Sequence, residues 1–252
     1  MLIDSHIHVG QFYESYYSPM SVIKLRADVG VDYYAVSSTT TCEDNYEKVL
    51  QEIQELVWND EEHVLPVMWI TPDGLNGNIA WLLESSIKWR CVKIHPFLHP
   101  NDWNPKGTQF EEVIDIAKEL CIPLLIHTGD DVSCNAGKFE RLISNHKEMD
   151  FILAHGRPLH ETISLLEKYT NVYADSAFML VKDMAEIVNH GLSEKLLWGT
   201  DMLIPQRAYP EQNMVDYYHN KLELFLQACS NVDDFENVTW KNALRVFGIN
   251  KT

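Results

Sequence analysis

The sequence has no run of about 18 apolar residues such as a membrane span needs, no Pro/Gly/Ser-rich linker, no low-complexity tract and no Cys-x-x-Cys pair. Each absence removes a class. Without an apolar span no membrane partner is expected, and without a basic segment leading into an apolar one the protein is expected to be cytoplasmic. Without a linker or charge block, residues 1–252 are expected to form a single domain. The five cysteines, Cys42, Cys91, Cys121, Cys134 and Cys229, are an odd count without paired spacing, which points to reduced, buried thiols rather than a disulfide framework. Basic residues are scarce as well: 20 Lys and Arg against 37 Asp and Glu leave a formal charge of −17. Phosphate neutralisation needs clustered cations, so no nucleic-acid partner is expected, and the acidity reads as a device for solubility. A Gly-rich phosphate turn is missing after the first apolar segment, which runs on as His8-Val9-Gly10-Gln11-Phe12. That removes the usual cue for an open, doubly wound nucleotide fold.

What is present is an alternation of two patterns. Short apolar segments suited to strands occur at Leu2–Val9, Tyr33–Ser38, Val64–Ile70, Cys91–Pro96, Ile122–Thr128, Phe151–Gly156, Val172–Ala177 and Leu196–Asp201. Between them lie helical stretches. Ser18-Pro19 reads as an N-cap with proline in the first turn, and Gly30 as the stop. Tyr46, Val49, Leu50, Ile53, Leu56 and Val57 recur at helical spacing, with similar stretches at Phe110–Leu120, Leu159–Tyr169, Val181–His190, Val215–Ala228 and Phe235–Phe247. Strands alternating with helices make right-handed βαβ units, and eight strands so connected predict an α/β protein of the (β/α)8 TIM-barrel type.

Ligand-type side chains stand where several of these strands end. His6 and His8 are one residue apart, so in an extended strand they share a face and both imidazoles can reach one cation. His127, His155 and Asp201 close three later apolar runs. A histidine satisfied by the core explains any one of these; the recurrence at strand ends, which a barrel gathers at one mouth, favours a metal site. Asp4 shares the parity of His6 and His8, and is either an orienting partner of an imidazole or a polar plug of the barrel floor. Asp175 and Ser176 read as structural or as support for a ligand, while His99, Trp69, Trp103 and Tyr13 carry no assigned role.

With His6-Ile7-His8, His127, His155, Gly199-Thr200-Asp201 and the closing Lys241-Asn242-Ala243-Leu244-Arg245-Val246-Phe247 segment in view, the chain resembles the amidohydrolase superfamily over essentially its full length. It is most similar to the amidohydrolase-related members that include aminocarboxymuconate semialdehyde decarboxylase and pyrone-dicarboxylate lactonase. The resemblance implies that His6, His8, His127 and Asp201 hold a divalent ion, with zinc the expected metal, and that His155 binds a second ion or assists the reaction. Lys93 and His95 share parity on the fourth strand, so both can face the barrel interior and are expected to bind substrate. Lys93 resembles the lysine that is carboxylated and bridges two metals in dihydroorotase-type relatives; the alternative is a free amine that neutralises carboxylates or holds an anionic substrate. One ion is expected, or two if Lys93 is carboxylated. No acidic residue stands on that strand, unlike in the TatD-type nucleases.

Arg157 departs from the small residue that relatives often carry after the histidine-glycine pair. It is expected to clamp a substrate carboxylate with Lys93, or to form a salt bridge at the mouth. The expected function is hydrolysis of a C–O or C–N bond in a small molecule: a lactone, ester or amide. Asp201 takes a proton from the activated water and passes it to the leaving group, and His155 donates to or steadies the developing oxyanion. Two alternatives stand beside it: non-oxidative decarboxylation of an unsaturated or aromatic acid, and a catalytically silent ligand-binding barrel. The substrate-setting loops are expected at Gln11–Ser18, Phe97–Gly107, Gly129–Gly137 and Met202–Gln212, and self-association into a homo-oligomer stays open.

Overall fold

The computed structural model describes residues 1–99, 101, 103, 108–202 and 204–249. The expected loops Phe97–Gly107 and Met202–Gln212 fall partly outside these residues. A curled nine-stranded sheet runs through them: β1 (Ile3–Phe12), β2 (Ser15–Tyr17), β3 (Tyr33–Ser38), β4 (Val64–Ile70), β5 (Cys91–Ile94), β6 (Leu124–His127), β7 (Phe151–Ala154), β8 (Val172–Asp175) and β9 (Leu196–Leu197). Its order is β2-β1-β3-β4-β5-β6-β7-β8-β9. Every pairing is parallel except that of β1 with β2, an antiparallel hairpin added at the edge. Residues beyond β9 return to β1: Ser5 N donates to Trp198 O at 2.8 Å, Asp201 N to His6 O at 2.8 Å, and His8 N to Met202 O.

The helices follow their sequence signals. Ser18 caps Pro19–Val29 by accepting from Ser21 N, and Gly30 ends that helix in the left-handed region at φ 74°. Tyr46–Asp60 buries Tyr46, Val49, Ile53 and Leu56, as its spacing predicts. Alternation along each strand splits the apolar side chains into two layers. Val36, Met68, Ile94, Ile126 and Leu153 pack towards the helices. Ala35, Leu65, Val67, Cys91, Leu125, Ile152 and Leu197 fill the concave side against Val246 and Phe247 of the closing segment. Among the described residues no helix is long and apolar enough to cross a membrane.

Two local features depart from simple alternation. First, the register of β1 against β3 shifts between Asp4 and Ile7. Ile3 therefore lies in the inner layer, whereas Ile7 and Val9 lie in the outer one. The shift turns His6 and His8 inward and removes Asp4 from their face, so the parity expected for Asp4 does not hold. Second, several strands stop short of their expected ends: β7 ends at Ala154 and β9 at Leu197. His155 and Asp201 then adopt positive φ, 68° and 60°. A left-handed residue cannot continue a ladder, so these side chains project from turns just past the strands.

Candidate metal centre and substrate pocket

His6 and His8 reach the concave side because of the shift in β1. Their Nε2 atoms lie 3.2 Å apart. Asp201 Oδ1 lies 3.2 Å from His6 Nε2 and 2.9 Å from His8 Nε2. The opposite ring nitrogens are already committed. His6 Nδ1 is 2.8 Å from Asp175 Oδ2, and His8 Nδ1 is 3.3 Å from the Ser37 carbonyl oxygen. A carboxylate and a carbonyl only accept, and the Ser37 hydroxyl, 3.0 Å from His8 Nδ1, can accept as well; with the proton on each Nδ1, each Nε2 turns its lone pair inward. Two imidazole lone pairs and a carboxylate oxygen thus face one another in a buried space. Such a donor set fits a divalent cation of the zinc type.

The electrostatics agree with that fit. Burial first, and the Lys93 charge second, push His8 down to about 3, so its ring is neutral, as a ligand must be. Burial alone would raise the Asp201 carboxyl; the His6 charge and the His8 hydrogen bond outweigh it and hold the group well below the ordinary carboxylate value. Asp175 is held down in the same way by His6. Asp175 was undecided in the sequence, where nothing marks it as the partner of a histidine 169 positions away.

Lys93, inward on β5, places Nζ 2.9 Å from His6 Nε2 and 3.1 Å from His8 Nε2. It also lies 4.4 Å from the centre of the Trp69 ring. Burial pulls this amine down to about 8. As a free amine this close to both lone pairs, it competes for the cation's position.

The remaining histidines do not all join the cluster. His155 shares a second group with His6 and Asp175, whose ligand atoms lie within 4.8 Å of one another. His127, expected as a ligand, falls in neither group among the described residues. Its ring stacks on His95 at 3.8 Å between centroids, and its Nδ1 lies 3.1 Å from His155 Nε2. His155 Nδ1 lies 3.1 Å from the Ala177 carbonyl, so it donates there and leaves Nε2 as an acceptor. Burial lowers this ring to about 4. A neutral ring with that tautomer accepts at Nε2 rather than donating from it.

Backbone approach holds these groups together. A Cβ on Gly199 would meet His6 Cβ at 3.2 Å and Asp175 Cβ at 3.3 Å, so glycine lets the segment after β9 close on both. Asp4 braces the same junction by accepting from Thr200 Oγ1 at 2.6 Å and from His6 N at 3.1 Å. Burial pushes its carboxyl up to about 7.

A cavity of about 260 Å³ opens over the cluster, lined by His8, Lys93, His95, His155, Arg157 and Asp201, with Trp69, Phe12 and Phe178 adding rings. That is just below the usual span of ligand pockets, roughly 300–1,000 Å³. Arg157 donates one bond from Nη2 to the Phe178 carbonyl at 2.9 Å, and no carboxylate pairs with it among the described residues. The expected salt bridge at the mouth is therefore not formed there. Trp69 went unassigned in the sequence; its parity with Leu65 and Val67 on β4 was the signal available.

A family model described as amidohydrolase matches residues 3–249. The chain belongs to the amidohydrolase family. It is an enzyme of that superfamily. Among solved structures, this amidohydrolase is similar to an uncharacterised TIM-barrel protein of Bordetella bronchiseptica, at 16% identity and TM-score 0.73, covering 98% of each chain. An amidohydrolase from Burkholderia multivorans with bound zinc matches at 12% identity and TM-score 0.69, over 99% of this chain and 100% of that one. 2,6-Dihydroxybenzoate decarboxylase from Rhizobium matches at 11% identity and TM-score 0.66, over 99% and 98%. At these identities the likeness is one of fold, and that fold carries both hydrolases and decarboxylases. No curated protein matches the chain in sequence.

Proposed function

We propose that this amidohydrolase is a metal-dependent hydrolase that cleaves a C–O or C–N bond in a small carboxylic acid, and that its domain spans residues 1–252 as a (β/α)8 barrel closed between β1 and the segment after β9. The observation that carries the reading is the convergence of His6 Nε2, His8 Nε2 and Asp201 Oδ1, with the far side of each ring held by Asp175 or Ser37. These three residues would hold one divalent cation, zinc, which when bound supplies Lewis acidity and hydroxide at neutral pH. The zinc-bound relative on the same fold supports that choice.

The chain's own groups divide the remaining work. Asp201, ionised and beside both rings, takes the proton of the attacking water and returns it to the leaving group. His155 Nε2, an acceptor, shares a hydrogen bond with His127 Nδ1 and so steadies that side of the pocket. Arg157 and Lys93 supply positive charge for a carboxylate, the group that also gives the decarboxylase relative's substrate its charge.

Elemental analysis of the purified protein, followed by turnover of Asp201→Asn on a panel of lactones, esters and amides of small acids, tests the reading. One metal per chain with turnover falling about 10²- to 10⁴-fold in the variant is expected. Protein without stoichiometric metal, or a variant that turns over like the parent, overturns it; carbon dioxide release from an aromatic acid replaces hydrolysis with decarboxylation.

A further inference from the structure

An enzyme for an anionic substrate must offer donors to its oxygens, and the imidazoles of this pocket differ in that respect. His6 and His155 each spend the Nδ1 proton on a fixed acceptor, so each turns a lone pair inward. His95 is wired the other way. Its Nδ1 accepts from two backbone amides, Phe97 N at 3.3 Å and Leu98 N at 3.0 Å, neither of which can accept in return. A neutral ring whose Nδ1 is an acceptor carries its proton on Nε2.

The ring has little freedom to turn. It is stacked between Trp69, 6.0 Å away at 21° between planes, and His127, 3.8 Å away at 26°. His95 is 5% exposed and lines the cavity, and with Nδ1 taken by the two amides Nε2 is the ring nitrogen left for a ligand. Trp69 lines the same cavity, and its buried indole Nε1–H has no hydrogen-bond partner. A ring N–H on the cavity wall and a buried indole N–H without a partner leave an unmet demand for acceptor atoms.

We propose that His95 is the fixed N–H donor of this pocket and that, with the Trp69 indole N–H beside it and the Arg157 guanidinium in the same cavity, it binds the carboxylate oxygens of a small planar acid. The choice of an acid rests on the function proposed above; the donor role of His95 rests on its own hydrogen bonds. The stacked rings favour a planar molecule over a branched one.

Isophthalate, a planar dicarboxylate, serves as the probe, titrated calorimetrically into protein of measured metal content, with neutral isophthalamide as control. The parent protein is expected to bind isophthalate more tightly than isophthalamide. His95→Ala is expected to weaken isophthalate about tenfold or more, with metal content unchanged. His95→Gln, which keeps an N–H donor on a side chain of similar reach, is expected to recover most of that loss, and Trp69→Phe to show a smaller one. If His95→Ala fails to fold, His95→Gln and Trp69→Phe still report. Absent binding by the parent, parental affinity in His95→Ala, metal lost together with His95, or His95→Gln no better than His95→Ala each overturns the donor role. Failure of the hydrolase reading shows differently, as protein without stoichiometric metal that still binds isophthalate.

Discussion

His6 Nδ1 lies 2.8 Å from Asp175 Oδ2, and neither side chain touches solvent appreciably, at 2% and 0% exposure. This bond sets which nitrogen of His6 is free to bind a cation. Asp175→Asn substitutes an amide that no longer demands the Nδ1 proton, so metal affinity is expected to fall about 10- to 100-fold, measured by competition with a chromophoric chelator. Asp175 Oδ1 also accepts from His155 N and Ala177 N, each at 3.0 Å, so the melting temperature of the metal-free variant is recorded alongside. Unchanged affinity would reduce the bond to a structural one.

Metal removal should register in stability as well as in activity. A cation that binds only the folded chain adds about 2.7 kcal/mol when its free concentration is 100 times the dissociation constant. Chelation followed by dialysis is expected to lower the melting temperature, and stoichiometric zinc to restore it. Coincident melting curves with and without chelator speak against a cation at His6, His8 and Asp201.

Arg157 has no carboxylate partner among the described residues, lines the cavity and is anchored by its Phe178 bond. Arg157→Ala is expected to raise KM for an acidic substrate about tenfold or more, with a smaller change in kcat. An uncharged analogue of that substrate should be nearly indifferent to the change. Equal KM values for the acid in variant and parent discard the clamp.

Acid should destabilise the metal-free protein. Burial holds His8 down to about 3, His155 to about 4 and His95 to about 2, all below the ordinary histidine value. Between about pH 6.5 and pH 4 the unfolded chain takes up protons on these rings that the folded chain refuses, so their stabilisation is complete above that window and lost on descending through it. Asp4 works in the opposite sense, because burial raises it to about 7 and the folded chain then binds a proton the unfolded chain lacks. Three rings outweigh one carboxyl, and the urea midpoint of chelated protein is expected to fall from pH 7 to pH 5. Asp4→Asn removes the opposing group and should steepen the fall; a flat midpoint across this range contradicts the balance.

Much of the site was legible because its chemistry sits at strand ends. Alternation predicted that His6 and His8 share a face, and the structure puts their Nε2 atoms 3.2 Å apart with Asp201 beside them. Asp4 was misread for a local reason: the register shift in β1 breaks the two-residue period that its parity relied on. The strand ends at Ala154 and Leu197 were overrun for a similar one, since apolar content continues past the point where positive φ stops the ladder. Trp69 and Asp175 lie on β4 and β8 among residues that look like ordinary core.

From the order of its residues alone, the chain determined its alternation of strands and helices, its helix caps and the types of ligand at its strand ends. These follow from short-range periodicity and from the stereochemistry of single residues. Only the tertiary structure decided which nitrogen of each histidine is free. That depends on acceptors brought from elsewhere in the chain, Asp175 for His6 and Ala177 for His155, and on the nearby amides of Phe97 and Leu98 for His95. A ring nitrogen is an acceptor or a donor according to what its twin has already bound, and for His6 and His155 that twin's partner is chosen by the packing of one strand end against another.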